Sequence, residues 1–200
     1  MPAMFFRVRC MKIIETDRLI LRTWEHKDAM PYFNINNDPK VIEFLRGPLT
    51  IEQVNDFIPA VNKHQDSLGY TLWATELKKN GALIGFIGFN NPDFFSPSNL
   101  PFSPCVEIGW RLGSQYWGQG YATEGAKACL AYGFNTLDLA EVVSFTVPQN
   151  TRSIHVMEKI GLSRDISGDF FHPMLSREHP LSKHILYRLK KDAYLKGVKA

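Results

Sequence analysis

A strand, a glycine-rich turn and a helix follow one another over residues 106–125, and this succession constrains the fold most. Apolar residues alternate with polar or small ones over 106–112, which predicts the strand. Gly118 and Gly120 mark the turn, and apolar residues at helical spacing follow over 122–134. In such a unit, backbone N–H groups and a helix N-terminus are directed at an anion. A pyrophosphate is the anion that explains this arrangement most economically.

Further elements are predicted on both sides of this unit. A capping box that begins at Thr50 predicts the start of a helix. The Asn-Gly dipeptide at 80–81 stands between two apolar runs and predicts a hairpin. Strands are predicted at 141–147 and 183–189, whereas residues 163–180 have the composition of a loop. No internal repeat and no second domain are indicated.

Charge and cysteine usage exclude several classes of protein. The net charge of +3 over 200 residues is too small to indicate nucleic-acid binding. Apolar runs stay shorter than the ~18 residues that a spanning helix requires, so no membrane partner is expected. Three cysteines without paired spacing predict a reducing compartment, which we take as the cytoplasm, and no metal site. Both a monomer and a homodimer are compatible with the sequence.

One domain is predicted over residues 13–195. Its hydrophobic content of 44% is that of an ordinary globular protein. Residues 1–12 combine a broken apolar stretch with no clear cleavage site, so we expect a flexible N-terminal extension rather than a signal peptide.

The motif Gln115-x-x-Gly118-x-Gly120 stands between the predicted strand and the predicted helix. Four further stretches accompany it, at residues 15–22, 118–124, 150–162 and 169–188. In this order they resemble the GCN5-related N-acetyltransferases, and in particular the branch that acetylates the N-termini of ribosomal proteins. The motif alone is weak, and the four accompanying stretches make the resemblance specific.

The resemblance implies an α/β fold, in which a mixed and mostly antiparallel sheet carries helices on both faces. Two neighbouring strands, at 106–112 and 142–147, would splay into a V that holds acetyl-CoA, while an amine enters from the opposite side. It also implies an acyl-CoA N-acyltransferase without a metal. The acetyl group would pass in a ternary complex to the primary amine of a protein N-terminus or of a small molecule.

The resemblance assigns the cofactor to both arms of this V. Backbone N–H groups between Gln115 and Ala122 would bind the pyrophosphate, because glycine lets the backbone approach the phosphates closely. Asn150 would bind the pantetheine arm and Ser153 the CoA sulfur, although Asn150 also suits a simple helix cap. The predicted cofactor residues are Trp110, Arg111, Leu112, Gln115, Trp117, Gly118, Gln119, Gly120, Tyr121, Ala122, Asn150 and Ser153.

Glu107 and Ser153 are the candidate catalytic residues. The attacking amine must be neutral, so Glu107 on the acetyl-binding strand is a candidate general base, directly or through water. An equal alternative is a carboxylate that only bonds neighbouring strands. Many family members carry a Tyr seven residues after the Asn as thiolate acid, and Met157 occupies that position here. A catalytically weak acyl-CoA-binding module is therefore the alternative to an enzyme.

The acceptor side is predicted from aromatic residues in two loops. The Phe-rich loop at 90–104 is either a wall of the binding cleft or a surface loop packed by its own aromatic side chains. His172 is flanked by Phe170 and Phe171. The predicted substrate-side residues are Phe94, Phe95 and His172.

Overall fold

A computed structural model describes residues 10–94 and 96–198, and its strands form one eight-stranded sheet. The sheet order is β1-β2-β3-β4-β5-β6-β8-β7, and every neighbouring pair is antiparallel except β5 and β6. The strands are β1 (Lys12–Glu15), β2 (Leu19–Arg22), β3 (Leu72–Leu77), β4 (Leu83–Asn90), β5 (Glu107–Leu112), β6 (Glu141–Thr146), β7 (Ser163–Phe171) and β8 (Lys183–Lys190).

Six α-helices accompany the sheet in the described residues. They are α1 (Ala29–Ile35), α2 (Pro39–Ile42), α3 (Ile51–Leu68), α4 (Tyr121–Asn135), α5 (Thr151–Lys159) and α6 (Lys191–Val198). The capping box at the start of α3 is confirmed, because Thr50 accepts from the backbone N–H of Gln53 and Gln53 accepts from that of Thr50. The hairpin at Asn80 and Gly81 is also confirmed, with β3 and β4 antiparallel.

Helices pack on both faces of the sheet, which confirms the predicted fold class. On one face, α4 covers a large core that contains Leu19, Trp73, Phe89, Ile108 and Phe134. On the other face, α1 and α3 cover a smaller core, which includes Trp24, Tyr32, Val54 and Phe86. The side chains of β5 therefore alternate between the α4 face and the opposite face.

The prediction of a loop over 163–180 is wrong in its first half, which forms β7. The strand pairs with β8, and its register shifts between Asp165 and Phe170. At this irregularity Asp165 Oδ1 accepts from Ser167 Oγ at 2.7 Å and from the backbone N–H of Gly168 at 3.1 Å. The bulge breaks the two-residue alternation by which a strand is recognised in sequence.

The first described strand begins one residue before the predicted start of the domain at residue 13. Lys12 begins β1, and the backbone of Met11 bonds to Thr23 through its N–H at 2.9 Å and its carbonyl at 3.0 Å. Residues 1–9 of the predicted flexible extension lie outside the described residues. At the other end, α6 continues to Val198, past the predicted end at residue 195.

Candidate active site

β5 and β6 are neighbouring parallel strands of the described sheet, and the ladder between them is short. Their ladder contains one residue pair, Glu107 with Val143, next to a bond from Val143 N to Val106 O at 2.9 Å. Beyond this pair β5 bonds to β4 and β6 bonds to β8, so the two strands diverge. The predicted V between neighbouring strands is therefore present, with an open cleft at the end where both strands finish.

The glycine turn lies at this cleft and leads into α4. Gly118 has φ +74° and Gly120 has φ +81°, a region that side chains with a β-carbon rarely adopt. Gly120 is the N-cap residue of α4 and has no side chain to cap the helix. The first N–H groups of α4 have no partner within the helix, and together with its dipole they favour an anion at this point.

Part of the predicted N–H donor set is already used inside the turn. Tyr116 N donates to Gly113 O at 2.9 Å, and Trp117 N donates to Ser114 O at 3.2 Å. The N–H groups of Tyr116 and Trp117 are therefore engaged within the turn.

The lining of the cleft is basic. Lys40, Arg111, Arg152 and Lys159 contribute to it, and among the described residues that line it none is acidic. Arg152 also stacks on the indole of Trp117, with its guanidinium carbon 4.5 Å from the ring centroid. A positive lining next to a helix N-terminus suits a ligand with several phosphate groups.

Ten of the twelve predicted cofactor residues come together in this lining. They are Trp110, Arg111, Leu112, Trp117, Gly118, Gly120, Tyr121, Ala122, Asn150 and Ser153. The side chains of Gln115 and Gln119 do not belong to the lining, whereas the prediction for this turn concerns its backbone N–H groups. Gln119 Nε2 donates to Gln115 O at 3.0 Å, and the Gln115 side chain folds back toward Gly113.

Sequence reasoning missed a group of lining residues from α2 and the segment after it. These are Lys40, Val41, Phe44 and Leu45, and they line the cleft together with residues of α5. Arg152 connects the two sides through an ion pair with Glu43 at 2.8 Å. No local signal marks this segment as part of a site, because its approach to α5 is a contact between residues 109 positions apart.

Asn150 and Ser153 begin α5 at the second arm of the V. Asn150 is the N-cap residue, and its side chain accepts from Ser153 N at 3.3 Å and donates to Thr146 Oγ1 at 3.1 Å. Capping and cleft lining therefore coincide in Asn150. Met157 is 1% exposed and packs in the core. A methionine side chain has no ionisable group, so this position cannot supply an acid.

Glu107 lies at the closed end of the V, on the face opposite α4. Burial raises the pKa of its carboxyl to about 7, although the amide of Asn90 at 3.2 Å and the charge of Arg111 act in the other direction. Arg111 itself donates to Asn36 Oδ1 at 2.5 Å. A carboxyl that titrates near neutral pH can accept a proton from an ammonium group during a reaction.

The predicted substrate-side residues lie in different surroundings. Phe94 packs edge-on against His64 of α3, with ring centroids 4.6 Å apart. His172 lies 5.1 Å from His184 and 6.4 Å from Phe170. Phe95 lies outside the described residues. Phe102 belongs to the same Phe-rich loop, and its ring centroid lies 5.1 Å from that of Phe170.

Residues 10–94 and 96–198 contain neither a candidate metal site nor a candidate membrane span. That part of the chain holds no group of three or more His, Cys, Asp or Glu side chains placed to bind a metal ion. None of its helices combines the length and the apolar character that crossing a membrane requires. Cys10, Cys105 and Cys129 are all free thiols.

Comparison with protein families gives a match over most of the chain. Residues 18–163 match the family described as the acetyltransferase (GNAT) domain. A Bacillus subtilis protein named as an uncharacterized N-acetyltransferase, YnaD, is 32% identical over 153 residues, which are 76% of this chain and 83% of that protein.

Solved structures show the same architecture. An acetyltransferase of the GNAT family from Bacillus anthracis superposes with a TM-score of 0.71 at 28% identity, covering 90% of this chain and 98% of that one. A spermidine N-acetyltransferase from Vibrio cholerae, solved with CoA and spermine, gives a TM-score of 0.68 at 18% identity, covering 90% and 99%. At that identity the second likeness concerns the fold alone.

Proposed function

This chain belongs to the GNAT acetyltransferase family, and we propose that it transfers the acetyl group of acetyl-CoA to a primary amine. The acceptor is a protein N-terminus or a small molecule, and the amine attacks the thioester directly in a ternary complex. The observation that carries the proposal is the cleft of the V. A glycine turn, an uncapped helix N-terminus and a basic lining meet there at the end of two diverging strands.

The cofactor is proposed to lie along the V. The pyrophosphate takes the backbone N–H groups from Gly118 onward, with Lys40, Arg152 and Lys159 near enough to balance the phosphate charges. The pantetheine arm runs between β5 and α5, where Asn150 is the polar partner. The acetyl group then reaches β5, whose backbone N–H groups provide hydrogen bonds for the oxyanion of the tetrahedral intermediate.

The chemical steps follow from this placement. The neutral amine attacks the carbonyl carbon of the thioester and forms the C–N bond, and the positively charged nitrogen then loses a proton to Glu107, directly or through one water. The C–S bond then breaks, and the CoA thiolate leaves with a hydrogen bond from Ser153 Oγ or a proton from water. Glu107 suits its role because burial brings the pKa of its carboxyl to about 7, near the working pH of a general base.

The likeness of residues 15–22 and 150–162 to enzymes that acetylate ribosomal-protein N-termini keeps a protein N-terminus among the candidate acceptors, beside small-molecule amines. The acetyltransferase domain is proposed to comprise residues 13–195 together with Met11, Lys12 and the last turn of α6. A reducing cytoplasm is the proposed location, in keeping with three free thiols.

Two measurements on the full chain test this function. Isothermal titration with acetyl-CoA should show one site, and release of the CoA thiol should accelerate when amines and N-terminal peptides are added. Ser153→Ala should lower the turnover number, and an unchanged turnover number would remove Ser153 from the mechanism. Binding of acetyl-CoA without turnover on any amine would favour the alternative, an acyl-CoA-binding module, for which the buried Met157 in place of a tyrosine is the supporting observation.

A further inference from the structure

An aromatic cluster lies beside Glu107 on the sheet face opposite α4. Glu107 pairs with Val143, so both side chains leave the same face, and Phe145 leaves it two residues later. Ile108 and Val142 leave the other face and pack in the core under α4. The aromatic cluster consists of Phe102, Phe145, Phe170, His172 and His184.

The rings of this cluster contact one another mainly edge to face, with Phe170 in the centre. Its ring centroid lies 5.1 Å from that of Phe102, 5.5 Å from that of Phe145 and 5.4 Å from that of His184. Phe170 is buried, whereas the other members are only half-buried. The cluster therefore presents an apolar wall with ring surface still accessible to a ligand.

Gly109 places no side chain on the face of β5 that carries Glu107. It lies between Glu107 and Arg111, and all three point to the same face of β5. Among the described residues outside its own chain neighbours, a β-carbon on Gly109 would meet only Leu72 Cδ2 within 4 Å, at 3.8 Å. No side chain of β5 therefore covers this face at Gly109, between the candidate base Glu107 and Arg111 at the basic end of the cleft.

The aromatic cluster carries little charge at neutral pH. Burial and the neighbouring imidazole lower the pKa of His172 to about 4, and burial also lowers the pKa of His184. Nearby carboxylates on β6 and β7 are already paired, since Glu141 and Asp165 contact Arg188 at 2.8 Å and 2.7 Å. These imidazoles and ion pairs offer no anionic site for a second ammonium group of a ligand.

We propose that the acceptor is a monoamine with an aromatic body, an arylalkylamine. Its ring packs on the aromatic cluster, and its single amino group lies over Gly109 and faces Glu107. This inference rests on the proposed function and specifies its substrate class. One carboxyl matches one amino group, whereas the additional ammonium groups of a polyamine or an aminoglycoside would meet the Arg188 guanidinium, whose carbon lies 5.5 Å from the Phe102 ring centroid and which already pairs with Glu141 and Asp165.

The test compares amines of different shape and charge at saturating acetyl-CoA. The value of kcat/KM is measured for 2-phenylethylamine, ethylamine, spermidine and kanamycin. We expect 2-phenylethylamine to exceed each of the others by roughly tenfold or more, since burying a phenyl ring adds binding energy that ethylamine lacks. Phe145→Leu should reduce the ratio between 2-phenylethylamine and ethylamine, and Phe102→Leu serves the same purpose if the first variant does not fold.

Phe171→Leu is the matched control for these variants. Phe171 follows Phe170 in β7 but is 46% exposed and stacks with Arg177, so its substitution should keep the ratio between the two amines. Faster turnover of spermidine or kanamycin, or equal loss on every amine in Phe145→Leu, would overturn the proposed acceptor class and leave the acetyltransferase function intact. Titrated binding of acetyl-CoA with no acetylation of any amine would instead reject the proposed function, and the acceptor class with it.

Discussion

Arg18 donates from Nε to the Glu124 carboxylate at 2.6 Å, and this contact joins the start of β2 to the first turn of α4. The same carboxylate accepts from Thr16 Oγ1 at 2.5 Å and from the backbone N–H of Arg18 at 3.0 Å. Arg18 Nη1 also donates to the carbonyl of Gln119 at 3.0 Å, inside the glycine turn. Because the carbonyl of Gln119 is held on this side, the contact restricts the orientation of the turn whose Gly118 and Gly120 line the cleft.

Arg18→Ala should weaken acetyl-CoA binding by roughly 1 kcal/mol, or about fivefold in Kd, because the turn loses its fixed orientation. Isothermal titration measures the effect, and Arg18→Lys should recover only part of the affinity because an ammonium cannot bond Glu124 and Gln119 together. Lys78→Ala is the control, since Lys78 pairs with Glu15 and the Thr16 carbonyl at the same corner. An equal loss in both variants would refute the role given to Arg18.

Gly118→Ala should weaken acetyl-CoA binding by roughly tenfold, since a side chain at φ +74° displaces the N–H groups that would bind the pyrophosphate. Gly161 provides a matched control, with φ +92°, no atom within 4 Å of an added β-carbon, and a position after α5. Both variants should lose about 1 kcal/mol of stability from backbone strain. Unchanged affinity in Gly118→Ala, by titration, would contradict the placement of the phosphates.

Arg152→Ala should raise the Kd for acetyl-CoA several-fold at low salt and reduce the salt dependence of binding, because one cation of the cleft is lost. Glu43→Gln should act in the opposite direction, since it releases Arg152 from its ion pair at 2.8 Å. Titrations at two ionic strengths measure both effects. Arg177→Ala, which removes a cation stacked on Phe171, should leave the affinity and its salt dependence unchanged.

Features that depend on neighbours in sequence could be predicted, and features that depend on distant contacts could not. The glycine turn, the hairpin at Asn80 and the cap at Asn150 each follow from residues within a few positions, so their predictions agree with the structure. The bond between Arg18 and Glu124 joins residues 106 positions apart and has no local signature. The same holds for Lys40, whose segment closes the cleft.

A distant contact also explains the wrong prediction of a loop after residue 163. The strand β7 was missed because its bulge at Asp165 and Gly168 interrupts the apolar alternation, and the pairing that sustains it comes from β8. The position of Glu107 in β5 could be predicted, whereas its burial depends on how distant segments pack around it.

Activity should rise with pH through about 7, because the carboxyl of Glu107 must be deprotonated to accept a proton and burial raises its pKa to about 7. Asn90→Ala removes a hydrogen bond that lowers this pKa, so the acidic limb of the kcat/KM profile should move to higher pH. In Glu107→Gln the limb should disappear and kcat should fall by roughly 10²-fold or more. A limb that survives in Glu107→Gln would assign the base to another group.

The raised pKa of Glu107 also makes a prediction for stability. The carboxyl of Glu107 holds its proton more tightly in the folded state, where its pKa is about 7, than in the unfolded state, where it titrates near ~4.3. Ionisation of Glu107 therefore lowers the free energy of unfolding as pH rises from about 4.5 to about 7. Glu107→Gln removes that loss and should be stabilised relative to the wild type by on the order of 2 kcal/mol at pH 8, and by little at pH 4. Urea unfolding at both pH values measures the difference. Glu15→Gln should show the opposite sign at pH 8, because Lys78 lowers the pKa of Glu15 in the folded state. A Glu107→Gln variant that is equally stable or less stable at pH 8 would show that the carboxylate is well solvated or paired in the fold, and its suitability as a base at neutral pH would lose its physical ground.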